Sequence, residues 1–321
     1  MRRLLLASLL ILSVTCRIFA DVPKLAGQRV LFLGDSITQD GRYVSFLEYY
    51  LHTAGQSCDL FSIGLSSETV SGLTEPGNPY PRPCLLERLD RALKVTRPTI
   101  VFACYGMNDG IYHPPSPERL AAFTAGLRQL IDKVRAAGAT LVLLTPPVFD
   151  PVPLAGKTVP ATATKFGYGS TFYVAYDDVL AEFARTEVAL NEPGVTIIDL
   201  HTPMAAALAA RRGPDPQFSF AKDGVHPGDL GHLLMAQTVA RGLGLSLPTG
   251  ELEPELARVA ADPVFALVRE RRELRSEAWL PFVGYTLGTA FKSSSVKAAE
   301  KVVARLQQEI DAPAATGALA H

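Results

Sequence analysis

Short runs of consecutive apolar residues alternate along this chain with longer stretches whose apolar positions recur every three to four residues. Runs of the first kind read as strands buried on both faces, and stretches of the second kind as amphipathic helices. The run Val30-Leu31-Phe32-Leu33 stops at Gly34-Asp35-Ser36, and Val44, Phe46, Leu47, Tyr50 and Leu51 follow at helical spacing before Gly55. A strand turning into a helix over Tyr43 to Ala54 is therefore expected. The same alternation predicts strands over Ser57 to Ile63, Thr99 to Tyr105, Thr140 to Thr145 and Val195 to Asp199. Helices are expected over Leu85 to Val95, Pro117 to Ala137 with Ser116 as cap, Thr171 to Leu190, Pro203 to Arg212 and Asp229 to Leu243. Strand and helix alternating five times predict a parallel sheet covered on both faces, and right-handed crossovers put all five strand ends on one rim. Two long stretches rich in polar residues, Pro and Gly, Leu65 to Pro83 and Phe149 to Gly169, are expected as loops over that rim.

Beyond Pro248 the pattern changes. Glu251 to Arg275 is charged and helical, Ala278 to Ala290 is apolar and carries the single tryptophan, Trp279, and Lys292 to Ile310 is amphipathic. Residues 248–321 are expected to be a helical extension that packs back on a main domain of residues 21–247, with a frayed tail after Asp311. The other end of the chain reads as an export signal. Met1-Arg2-Arg3 precedes an apolar segment, Leu4 to Val14, too short to span a bilayer, and Ala20 suggests cleavage before Asp21. Lipidation at Cys16 is the minority alternative, weakened by Ser13-Val14-Thr15 ahead of it.

Charge and cysteine content exclude more than they select. Losing residues 1–20 removes Arg2, Arg3 and Arg17 and no acid, which moves the formal charge from −1 to −4. No basic stripe for nucleic acid or an anionic membrane follows from that. The remaining Cys58, Cys84 and Cys104 exclude a dense disulfide framework; one bridge, Cys58 to Cys84, stays open beside three buried small side chains.

The candidate chemistry starts at Ser36, which the predicted rim presents at the end of the first strand, where a helix N-terminus offers free N–H groups to an anion. Taken alone, Asp35 and Ser36 are an ordinary capped turn. A serine hydroxyl needs an adjacent base, and Asp223 and His226, three positions apart, supply a carboxylate beside an imidazole. Acyl transfer also needs donors for a tetrahedral oxyanion. The Ser36 N–H, the Gly64 N–H and the Asn108 side-chain amide are the candidates, each at or just past a strand end. Tyr105, Tyr112, Glu68 and Arg82 fall on the rim or its loops, where they could shape a polar substrate pocket. Asp199-Leu200-His201 has a metal-binding spacing, but the accompanying Asp-x-His and His-bearing loops are missing. His52, His113, His201, His232 and His321 are expected in surface or packing roles.

The order Gly34-Asp35-Ser36, Gly64, Gly106-x-Asn108-Asp109 and Asp223-x-x-His226 resembles the four blocks of the SGNH, or GDSL-type, hydrolase family over about residues 28 to 243. Two departures stand out: Ile37-Thr38 follows the first block in place of a leucine, and Ile63 precedes Gly64 where an asparagine is common. The resemblance implies a three-layer α/β/α sandwich with strand order 2-1-3-4-5. It implies Ser36 as nucleophile, Asp223 and His226 as the rest of a triad, and Ser36, Gly64 and Asn108 as the oxyanion hole, with no metal or organic cofactor. The expected activity is serine esterase. Export and the polar rim suggest O-acyl groups on carbohydrates, with O-acetyl first among them. The family also contains lipases, lysophospholipases and thioesterases, and a secreted binding protein that keeps the fold without catalysis is the competing class. Its marker would be a lost triad member, and none is lost.

Overall fold

The structure, a computed structural model, describes residues 22–248, 250–287 and 295–312. The expected export signal, the Cys16 alternative, part of the apolar stretch after Trp279 and the tail beyond residue 312 lie outside the described residues. The chain enters through β1 (Arg29–Gly34), α1 (Ser36–Asp40), α2 (Arg42–Thr53), β2 (Asp59–Ser62) and α3 (Leu85–Thr96). It continues through β3 (Ile100–Cys104), α4 (Pro117–Ala136), β4 (Thr140–Leu144), β5 (Thr158–Val159), β6 (Phe172–Tyr173) and α5 (Tyr176–Val188). Then come β7 (Val195–Ile198), α6 (His201–Arg212), α7 (Asp229–Gly242), α8 (Leu252–Ala261), α9 (Pro263–Val283) and α10 (Val296–Asp311).

Strands β2, β1, β3, β4 and β7 form one parallel sheet in that order, which is the expected 2-1-3-4-5. Consecutive apolar residues suit a strand buried on both faces, and Val30 to Leu33 and Val101 to Cys104 are buried throughout. Phe32 pairs in register with Phe102, and their rings stack at 4.5 Å. Helices α3, α4 and α5 pack in series, while α2 packs on α7. Right-handed crossovers set these two groups on opposite faces, because strand order reverses direction after β2. The reversal leaves a crevice at the C-terminal ends of β1 and β3, the usual ligand position in such sheets.

Two expectations are corrected, and one open alternative, the Cys58–Cys84 bridge, is decided. The helix expected over Thr171 to Leu190 begins only at Tyr176, because Phe172 and Tyr173 pair with Thr158 and Val159 in a two-stranded ladder. Phe172 instead packs on Tyr112 and Phe149, at 5.1 and 5.5 Å between ring centroids. The helix expected over Glu251 to Arg275 is two helices: Asp262 accepts the Val264 N–H as a cap and Pro263 opens α9. Proline suits the first helical position and ends the one before it. No Cys58–Cys84 bridge exists, as both thiols are free. Cys58 precedes β2 while Cys84 pairs with Thr69 past its far end. Roughly 13 Å of strand lies between those ends, beyond the reach of a disulfide.

The helical extension packs back on the main domain, as expected. Helix α9 lies against α2, α3 and the edge strand β2, and α10 packs on α9. Arg275 anchors it: its guanidinium reaches Asp59 at 2.6 Å and the Leu60 carbonyl at 3.0 Å, and stacks over Phe61 at 3.7 Å. Phe265 stacks on Phe46 at 4.8 Å. Covering β2 protects a sheet edge that would otherwise present unpaired backbone groups. No helix among the described residues is long and apolar enough to cross a membrane.

Candidate active site

At the end of β1 the side chain of Asp35 accepts the Ile37 N–H at 2.9 Å and caps α1. The capped-turn reading of Asp35 therefore holds, and it leaves Ser36 free at the first position of the helix. Asp35 is buried, and burial pushes its carboxyl up to about 7 against the opposing pull of the Ile37 N–H. The Ser36 Oγ lies 2.7 Å from His226 Nε2, and His226 Nδ1 lies 2.7 Å from Asp223 Oδ2. The other oxygen of Asp223 accepts the backbone N–H groups of Val225 at 3.0 Å and His226 at 2.8 Å. One loop thus fixes both the carboxylate and the imidazole that it orients.

This arrangement sets both pKa values. Burial works to raise the Asp223 carboxyl, but the His226 ring and the two N–H groups outweigh it and hold the group at about 2. Burial of the ring works to lower His226, but the hydrogen bond and charge of Asp223 leave its pKa above the usual 6.5. A carboxylate on Nδ1 keeps the proton there, so Nε2 faces the serine as an acceptor.

The three N–H donors expected for an oxyanion lie past the C-terminal ends of β1, β2 and β3. The backbone N–H groups of Ser36 and Gly64 have no acceptor among the described residues. At Gly64 a Cβ would stand 2.3 Å from the Gln39 nitrogen, so only glycine allows β2 to pass this close to α1. The Asn108 Oδ1 accepts Arg82 Nη1 and Tyr112 Oη, both at 3.0 Å, while Nδ2 donates to the Glu68 carbonyl at 3.3 Å. Those partners orient the amide and leave its second N–H available. Asp109 accepts the N–H groups of Val70, Ser71 and Gly106 at 2.7 to 2.9 Å, which ties the 65–83 loop to the end of β3.

The four rim and loop residues that could shape a substrate pocket are tied into a buried network. Glu68, Arg82, Tyr105 and Tyr112 are all buried. Glu68 is paired with Arg88 at 2.6 and 2.7 Å and accepts the Tyr105 hydroxyl at 2.6 Å; Arg82 is clamped by both oxygens of Glu75 at 2.6 Å. Arg88 also donates to the Ile63 carbonyl at 2.8 Å, next to Gly64. Reaching Asn108 requires left-handed backbone at Ile111 (φ 48°) and Tyr112 (φ 56°), a conformation that residues with bulky side chains rarely adopt. Arg88 and Glu75 were missed by sequence reasoning. The signal for Arg88 was its place on the apolar stripe of α3 with Leu85, Leu89 and Ala92, where an arginine requires a buried partner.

Asp199 and His201 do not meet over an ion. Asp199 accepts the Thr145 hydroxyl and the Thr202 N–H, and His201 faces Asp177 at 3.3 Å. Among the described residues no group of three His, Cys, Asp or Glu is positioned to hold a metal. His201 and His232 are buried packing residues, and His232 accepts the Tyr43 N–H.

Residues 32–234 match the model of the GDSL-like lipase/acylhydrolase family, and the chain belongs to that family. Among solved structures it is similar to a gut microbial diltiazem-metabolizing enzyme, with a TM-score of 0.52 and 19% identity over 70% of this chain. The match covers 49% of that protein, so the chain spans about half its length. It is also similar to a catalytic mutant of Axe2, an acetylxylan esterase from Geobacillus stearothermophilus, with a TM-score of 0.50 and 20% identity. That match covers 71% of this chain and 99% of the other. At such identities the likeness is one of fold. No curated protein matches the chain.

Proposed function

We propose that the protein is an exported serine esterase that removes acyl groups, acetyl foremost, from carbohydrate hydroxyls. The observation that carries the chemistry is the unbroken hydrogen-bonded path from Asp223 through His226 to Ser36, two contacts of 2.7 Å. Ser36 Oγ forms a bond to the ester carbonyl carbon as its proton passes to His226 Nε2. The carbonyl oxygen, now an anion, takes the N–H groups of Ser36, Gly64 and Asn108. The bond to the alcohol oxygen then breaks, the alcohol leaves with the proton held on Nε2, and the acyl group stays on Ser36. Water attacks that ester with His226 again as base, releasing the carboxylic acid and restoring the serine. Asp223 stays ionised throughout and holds the imidazolium. The carbohydrate assignment draws on the export signal, on the polar loops over the rim, and on the acetylxylan ester that the similarly folded Axe2 is named for.

Hydrolysis of p-nitrophenyl acetate by the mature protein tests the chemistry. Ser36→Ala should lower kcat/KM by about 10^4-fold or more, since a nucleophile has no substitute in this path. Equal rates in the two proteins would remove Ser36 from that role. Because the His226 pKa stands above 6.5, the rate should fall as the pH drops through a value above 6.5, where the protonated ring no longer accepts a proton. A flat profile from about pH 5 to 8 would speak against His226 as the base.

A further inference from the structure

Beside Gly64 lies a cavity of about 570 Å³ that none of the steps above uses. Ligand pockets usually measure about 300–1,000 Å³. One wall is the nucleophile's own helix and the end of the edge strand, with Gln39, Ser62 and Gly64; the other is α9, with Arg272, Ser276 and Glu277. The second wall lies outside residues 32–234, the span that matches the family.

The polar groups on that second wall are incompletely used. Arg272 is 4% exposed; its Nε donates to Ser45 Oγ at 2.8 Å and one terminal nitrogen reaches Glu273 at 3.3 Å. The other, Nη1, has no hydrogen-bond acceptor among the described residues. Gly41, directly after α1, makes room for it: a Cβ there would stand 2.5 Å from Nη1. Burial holds the guanidinium below its usual pKa, so an added acceptor at this position would be favourable. Ser276 Oγ is buried with no hydrogen-bond partner among the described residues, and Leu280 and Pro281 add an apolar surface.

The lining also says what would not fit. Asp40, Glu273 and Glu277 outnumber Arg42 and Arg272, and Arg42 is already paired with Asp40 and Asp229, which disfavours an anionic ligand. Five charged side chains disfavour an acyl chain. Carboxylates, a guanidinium and a hydroxyl around an apolar patch suit a neutral polyhydroxylated ring, whose hydroxyls both donate and accept while its C–H face covers Leu280 and Pro281. Gln39 couples the cavity to the rim, because its Oε1 accepts the N–H and hydroxyl of Ser66 at 2.6 and 2.7 Å, two residues past Gly64.

We propose that this cavity is a carbohydrate subsite, built in part by helix α9 of the C-terminal extension, that holds a neutral sugar unit neighbouring the acylated one. The assignment rests on the esterase reading for its place in the reaction, and binding tests it independently of hydrolysis. In full-length Ser36→Ala protein, calorimetric titration with unacetylated xylo-, cello- and chito-oligosaccharides should detect at least one ligand. Adding Glu277→Ala, or Ser276→Phe to fill the cavity, should weaken that ligand about tenfold or more, as expected for a lost hydrogen bond to a charged group or a blocked site. Absence of binding across the panel, or unchanged affinity in both variants with unchanged melting temperature, overturns the subsite. In the Ser36 background, each variant should lower kcat/KM on an acetylated oligosaccharide about tenfold further than on p-nitrophenyl acetate. Equal losses on the two substrates overturn the subsite, whereas absence of Ser36-dependent hydrolysis overturns the esterase reading and leaves the titration to decide the subsite.

Discussion

The two sides of the candidate active site are built in opposite ways. Asp223 and His226 sit three residues apart in one loop, with side chains 50% and 34% exposed, and depend mainly on each other. Asn108 is 4% exposed and is held by groups from several segments: Arg82 and Glu68 from the loop after β2, Tyr112 from the turn after β3, and Arg88 of α3 behind Glu68. The single pair Glu68–Arg88 stands beneath two of the proposed oxyanion donors, since the Glu68 main-chain carbonyl accepts from the Asn108 amide and Arg88 donates to the Ile63 carbonyl next to Gly64. The contrast follows from the tasks proposed for them. A base that exchanges protons with substrate and water must be reachable, and a local turn is enough to aim it. Donors for a developing anion must not reorient, and fixed dipoles away from water are worth more than mobile ones.

The strongest break in this comparison is Asp223→Asn. The asparagine oxygen can still accept the Val225 and His226 N–H groups, so the loop should keep its shape, but the amide nitrogen cannot accept the proton on Nδ1. The imidazole then favours the wrong tautomer, and kcat should fall about 10^4-fold. The melting temperature should stay within about 2 °C, as for an exposed position that keeps its backbone contacts. A large drop in melting temperature would show that this loop, too, is a structural element.

On the buried side the expectation reverses. Glu68→Gln leaves Arg88, 1% exposed, without its counter-charge, and breaking such a pair costs about 3–5 kcal/mol. The melting temperature should drop by about 10 °C, read by calorimetry. Activity of the folded fraction should fall as well, since the Glu68 main-chain carbonyl under Asn108 and the Arg88 guanidinium under Ile63 are no longer locked together by the ion pair. An unchanged melting temperature would mean that the buried network is not the foundation of this side.

The same contrast governs how much of the molecule was legible from the chain. The parallel sheet could be read because Val30 to Leu33, Val101 to Cys104 and Leu141 to Leu144 are buried on both faces, a constraint that leaves its mark residue by residue. Asp223 and His226 could be read because they lie within one turn. The supports of Asn108 could not, since Arg82, Glu75 and Glu68 belong to a long loop without periodicity, and only the fold brings Arg88 and Tyr105 to them. The Asp262-Pro263 break between α8 and α9 is legible in the chain as a cap followed by proline, although a charged helical pattern runs on both sides of it. Phe172 and Tyr173 are not separable from the helix in the sequence, because an apolar pair next to a periodic stretch looks the same whether it continues the helix or packs on Tyr112.

The smallest effect sharpens the comparison most. Tyr112 and Arg82 both donate to Asn108 Oδ1 at 3.0 Å, so Tyr112→Phe removes one of two clamps and leaves the acceptor satisfied. The aromatic ring remains in its buried site, and the Arg82 guanidinium remains 5.5 Å from its centroid. A single neutral hydrogen bond is worth about 1 kcal/mol, so kcat should fall about fivefold. KM should hold steady, because the amide would be less well aimed in the transition state while the ground state has no oxyanion to bind. The pH profile should not move, because the base and its carboxylate are untouched. A raised KM with unchanged kcat would instead make Tyr112 a wall of the substrate pocket, and a shifted pH profile would mean that the two sides of the site are not independent.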